Sequence, residues 1–62
     1  MAEIKAFREM IGATKEEFAN KLGFSLSYYE KIECGDREPS RQFLKRLKEE
    51  YPQFDLNIFF KA

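Results

Sequence analysis

The sequence predicts an all-α protein, a compact bundle of four to five helices. Apolar residues recur at helical spacing in one segment after another. Thr or Ser stands ahead of three of those segments, and Gly closes three. The 62 residues are 44% hydrophobic and 35% charged, the composition of one globular domain. A domain of this size buries only about 60% of the surface its unfolded chain exposes, so large rings must carry much of the core. Seven Phe and three Tyr are available for that.

The first helix is expected over Ala2 to Ile11, where Ile4, Phe7 and Ile11 share one face and Gly12 offers a left-handed end. Thr14 opens the second helix. With Glu17 three residues on, it forms a capping box that satisfies two orphan N–H groups. Phe18, Ala19 and Leu22 are the inward face, and Gly23 ends the helix. Ser25 caps the third, with Phe24 at its entrance, Tyr29 and Ile32 inward and Gly35 at its end. A loop over residues 36–39 leads to Ser40, the cap of a fourth helix with Phe43, Leu44 and Leu47 buried and an end near Glu50. After Pro52, Asp55 caps a short fifth helix, although alternation at Phe54, Leu56, Ile58 and Phe60 equally permits a strand.

Composition excludes several kinds of chemistry. A single cysteine, Cys34, cannot make an internal disulfide, and the absence of His removes zinc sites and His-based nucleophilic catalysis. The expectation is therefore a protein that is not an enzyme and uses no metal or cofactor. No apolar run approaches the roughly 18 residues of a membrane span. The opening residues do not resemble an export signal, which together with the free thiol implies a cytoplasmic protein with no membrane partner. Net charge is zero, so any nucleic-acid argument rests on where the charges sit.

The functional signal lies in residues 15–34. Two short helices meet at a turn built on Gly23, with a small residue, Ala19, where they cross. Two helices at about 90–120° joined by such a turn form a helix-turn-helix, whose second helix can enter the major groove of DNA. The run from Thr14 to Ser25, the Ile32-Glu33-Cys34-Gly35 end and the Asp36-Arg37-Glu38-Pro39-Ser40 loop together resemble the phage-repressor and Cro-like helix-turn-helix family, also called the xenobiotic-response-element type. The likeness covers roughly Ile4 to Phe59. It implies that residues 1–62 form a single lambda-repressor-like DNA-binding domain. It further implies a sequence-specific transcriptional regulator, most often a repressor, that binds double-stranded DNA as a homodimer.

On that resemblance the helix at 25–33 reads the groove. Leu26, Ser27, Tyr28 and Lys31 are the expected base contacts: Lys31 suits guanine O6 or N7, and Leu26 a thymine methyl. Lys15, Ser25, Arg37 and Arg41 are the expected phosphate contacts, which position without reading sequence. Arg8 and Glu33 match a structural pair that clamps the first helix to the third. The chain departs from the family at Leu26 and Tyr28, where polar residues are common, at Lys15, where Gln is common, and at Tyr29, where Ile or Val is usual. Glu30 sits beside the reading face and would repel phosphate unless it accepts from a cytosine amine.

Less specific readings stand beside these. The phenylalanines are core and not a stacking platform, Cys34 is an inert helix-end residue, and Lys45, Arg46 and Lys48 form a solvated face. Ile58, Phe59 and Phe60 either complete the core or form a dimer seam. Residues 15–35 carry three basic and four acidic groups, and residues 36–50 carry five and four. So small a field predicts weak non-specific binding, and dimerisation would restore affinity on half-sites about 34–36 Å apart. Two alternatives remain open: an interaction module that keeps the scaffold without DNA affinity, and an antitoxin. Either would have a protein partner, a toxin or an antirepressor.

Overall fold

The computed structural model describes residues 2–55. Four helices succeed one another: α1 (Ala2–Met10), α2 (Lys15–Leu22), α3 (Leu26–Cys34) and α4 (Arg41–Glu50). No strand occurs among the described residues. The fifth helix expected after Asp55, its strand alternative and the seam residues Ile58, Phe59 and Phe60 lie outside them.

Each boundary has a local cause. The Thr14 hydroxyl accepts from the Glu17 N–H at 3.1 Å, and the Glu17 carboxylate accepts from the Thr14 N–H at 2.9 Å. The reciprocal bond holds the Glu17 carboxyl below its usual range, chiefly through the Thr14 backbone. Ser25 and Ser40 each accept from the N–H three residues ahead, both at 3.1 Å. Gly23 turns the chain at φ +83°, with its own N–H on the Asn20 carbonyl and that of Phe24 on Ala19. This is the Schellman arrangement, which returns two orphan carbonyls to hydrogen bonds. A Cβ at Gly23 would meet nothing within 4 Å, so the position requires glycine for its backbone and not for space. Gly23→Ala is accordingly expected to cost about 1–2 kcal/mol, the left-handed penalty of an L-residue, read as a lower urea midpoint at unchanged slope.

The core gathers around α2 and α3. Ile4, Phe18, Ala19, Leu22, Tyr29, Ile32, Phe43 and Leu47 are fully buried, and Phe7 and Phe54 nearly so. Leu44, expected in the buried stripe of α4, is half-buried against this cluster. Ile11 departs from expectation. The helix stops at Met10 and Gly12 turns left-handed at φ +76°, which carries Ile11 off the inward face to 37% exposure. Arg8, by contrast, is buried on α1 at 8% exposure. Beyond α4, Tyr51 and Phe54 fold back over α1: the Phe7 ring meets Tyr51 at 5.5 Å and Phe54 at 4.8 Å.

Candidate nucleic-acid interface

The open face of α3 is set by which side of the helix the core consumes. Tyr29 and Ile32 point inward and are completely covered. Leu26, Ser27, Glu30 and Lys31 lie outward and exposed. At 3.6 residues per turn the exposed positions fall on one stripe along the helix.

α3 is fastened to α1 through Glu33. Arg8, from α1, donates through Nε to the Glu33 carboxylate at 3.1 Å and through Nη1 to the Ala13 carbonyl at 2.8 Å. The Tyr29 hydroxyl donates to the same Glu33 oxygen. The ring that stands where the family has Ile or Val thus reaches a partner with its polar end. Burial alone would raise the Glu33 carboxyl, but the bonds from Tyr29 and Arg8, with the charges of Arg8 and Lys15, outweigh it and hold the group below the usual carboxylate range. Arg8 is pushed up, first by its bond to Glu33. Burial, reinforced by Glu33, lifts the Tyr29 phenol well above its ordinary value.

The corner of the motif is braced from α4 as well. Arg46 donates through Nε to the Leu22 carbonyl at 3.2 Å and through Nη2 to the Lys21 carbonyl at 3.1 Å, while pairing with Glu49 and Glu50 at 3.1 Å each. A cation at the C-terminal carbonyls of a helix satisfies orphan acceptors and opposes the dipole. Arg46, expected on a solvated face with Lys45 and Lys48, is instead turned onto the end of α2. Its two carbonyl acceptors are 24 and 25 residues away, so no local spacing announces them.

The expected phosphate contacts are spread around this face. Lys15, the first residue of α2, has Nζ 3.9 Å from Glu30 and 4.0 Å from Glu33. Ser25 is exposed but spends its hydroxyl as the α3 cap. Arg41, the first residue of α4, is exposed and makes no ion pair among the described residues, and the same holds for Lys31. Arg37 places its guanidinium 5.2 Å from the centre of the Tyr28 ring. Tyr28 itself is half-buried, stacked on Phe24 at 5.0 Å, and its oxygen accepts from the Ser40 N–H at 3.3 Å. The structure therefore groups Leu26, Ser27 and Lys31 on the open face and sets Tyr28 at its edge, against the loop.

Among the described residues no group of three acidic or cysteine side chains could hold a metal ion, and no helix is long and apolar enough to cross a membrane. The Cys34 thiol is exposed and lies 3.5 Å from the Lys31 carbonyl.

Comparison with known proteins agrees with this arrangement. The helix-turn-helix family model matches residues 4–52. An uncharacterized HTH-type transcriptional regulator, YazB, of Bacillus subtilis (strain 168) is 45% identical over 42 residues. Those residues are 68% of this chain and 61% of the relative, so the chain spans about three fifths of that protein's length. No solved structure matches the chain significantly. Four helices in this order, the glycine corner between α2 and α3 and a match over most of its length show that the chain belongs to the phage-repressor and Cro-like helix-turn-helix family.

Proposed function

We propose that the protein is a sequence-specific DNA-binding transcriptional regulator that inserts α3 into the major groove and binds a two-fold site as a homodimer, acting as a repressor. The observation that carries this reading is the division of α3 into a fully buried side, Tyr29 and Ile32, and an open side, Leu26, Ser27, Glu30 and Lys31. A helix clamped to its own core through Arg8 and Glu33 yet bare along its outer stripe suits a groove about 12 Å wide. In this reading Lys31 donates to a guanine edge, Ser27 to a neighbouring base, and Leu26 packs on a thymine methyl. Lys15, Ser25, Arg37 and Arg41 meet phosphates. The relative's name, a transcriptional regulator, supports the same role.

The test is fluorescence anisotropy with duplexes recovered from a random pool, at two salt concentrations. Lys31→Ala is expected to relax base preference at one position of each half-site, at a cost of about 1–3 kcal/mol. Lys15→Ala is expected to weaken all duplexes alike and to lower the salt slope by about one. Equal binding by both variants and the parent would favour an interaction module that keeps only the scaffold. Its basis is the exposed Glu30 and Leu26 on the outer stripe.

A further inference from the structure

We propose that Tyr28 is a positioning residue, which ties Arg37 and the loop between α3 and α4 to the proposed reading helix and does not itself read a base. The inference rests on the DNA-binding reading above. The Tyr28 side chain is engaged on several sides at once. The ring stacks on Phe24 at 5.0 Å with the planes 22° apart and meets Phe43 at 6.1 Å nearly edge-on. These contacts set the ring's direction as it leaves α3. Arg37 then lies 5.2 Å from the ring centre, within the range of a cation–π contact. The phenol oxygen accepts from the Ser40 N–H at 3.3 Å. Ser40 is also the cap of α4, and Arg41 follows it directly. Tyr28 thus holds the loop at both of its ends, at Arg37 and at the entry to α4.

The backbone reinforces the tie. The Arg37 N–H donates to the Lys31 carbonyl at 3.2 Å, so the loop starts from a fixed point on α3. A ring packed against both Phe24 and Phe43, with its oxygen on the loop, is directed away from the stripe formed by Leu26, Ser27 and Lys31. What it supplies is preorganisation. A long cationic side chain free in solution loses rotamer freedom when it meets a phosphate, and one already resting on a ring loses less. Without the ring that ordering cost is no longer offset and Arg37 gives up its phosphate, so Tyr28 acts on affinity and on salt dependence through Arg37, while sequence preference stays with the open stripe.

The experiment uses the full chain and duplexes selected from a random pool by the parent protein, with helicity and melting temperature recorded for each variant. Tyr28→Leu is expected to weaken binding about 3- to 10-fold on every duplex and to flatten the salt slope by about one. It should select the same bases as the parent. Arg37→Gln should give the same two changes, and the double variant should be no worse than either single one. Tyr28→Phe keeps the ring and should keep the slope. A changed base at one position with an unchanged slope would make Tyr28 a base contact and overturn the proposal. Additive losses in the double variant would do so as well. If Tyr28→Leu fails to fold, Arg37→Gln decides: an unchanged slope removes Arg37 from the phosphates and the proposal with it. A parent protein that selects no duplex overturns the DNA-binding reading first, an outcome distinct from all of these.

Discussion

Glu33→Ala is expected to lower the unfolding free energy by about 3–5 kcal/mol, the usual cost of leaving one member of a buried pair without its partner. The two side chains are only 9% and 7% exposed, so water does little to screen the Arg8 charge once the carboxylate is gone. The Tyr29 hydroxyl, buried in the core, would lose its acceptor at the same time, which adds a second desolvated group to the first. At roughly 0.05–0.15 kcal/mol per residue, a chain of this length has about 3–9 kcal/mol in all, so the loss takes about half of it or more. Urea unfolding should therefore show a variant largely unfolded at 37 °C. Glu33→Gln tests the origin of the effect. It keeps an oxygen for Tyr29 but removes the charge, and should retain part of the stability. The pH dependence follows from the depressed carboxyl. A group whose folded pKa is lowered stabilises fully above its unfolded value, and that contribution is lost as pH falls through the folded one. The parent should lose stability on acidification below the ordinary carboxylate range, and Glu33→Gln should have a shallower acid limb. An acid limb of equal depth in both proteins would mean that the pair contributes nothing through its charge.

This clamp also marks how far the sequence can be read. Thr14 with Glu17, Ser25, Gly23 and Gly35 act within one helical turn, and local signals of that kind were legible residue by residue. The Arg8–Glu33 pair spans 25 residues and was visible only through the family resemblance. Arg46 has the same kind of long-range partners without such a precedent, and a cation among other cations on α4 reads naturally as surface. Ile11 fits the apolar period of α1 but lies past its last turn, so periodicity alone could not tell that Gly12 would swing it outward. For the interface, pattern separated Tyr29 and Ile32 from the outer stripe. Tyr28 sits on the border of that stripe, and only its contacts with Phe24, Phe43 and Ser40 reveal which way it leans. Aromatic residues are ambiguous in this way because they are apolar enough for a core and polar enough at one end for a surface.

Phe18→Ala should be comparably severe, at about 3–5 kcal/mol, for a different reason. Phe18 is fully buried where α1, α2, α3 and the chain after α4 meet. Its ring packs edge-on against Phe7 at 6.4 Å and Tyr29 at 5.3 Å, and stacks on Tyr51 at 5.1 Å with the planes 18° apart. Truncation removes the apolar surface of the ring and leaves a void that three other rings line. Those rings cannot collapse into it freely. The Tyr29 ring is held by its hydroxyl's bond to Glu33, and the main chain that carries Tyr51 by its N–H on the Leu47 carbonyl at 2.8 Å. A site whose walls are tied elsewhere relaxes little, and the cost then lies toward the upper end of the range. Phe18→Leu leaves a smaller void and should cost clearly less. The consequence for function is geometric. Phe18 joins α2 to α3 through Tyr29, the residue opposite the exposed stripe of α3, so a partly folded variant would present α3 at no fixed tilt. In calorimetry Phe18→Ala should melt far below the parent, and its affinity for the parent's selected duplex should fall even at temperatures where helicity remains. A variant that melts within a few degrees of the parent would place the stabilising core elsewhere than at this ring.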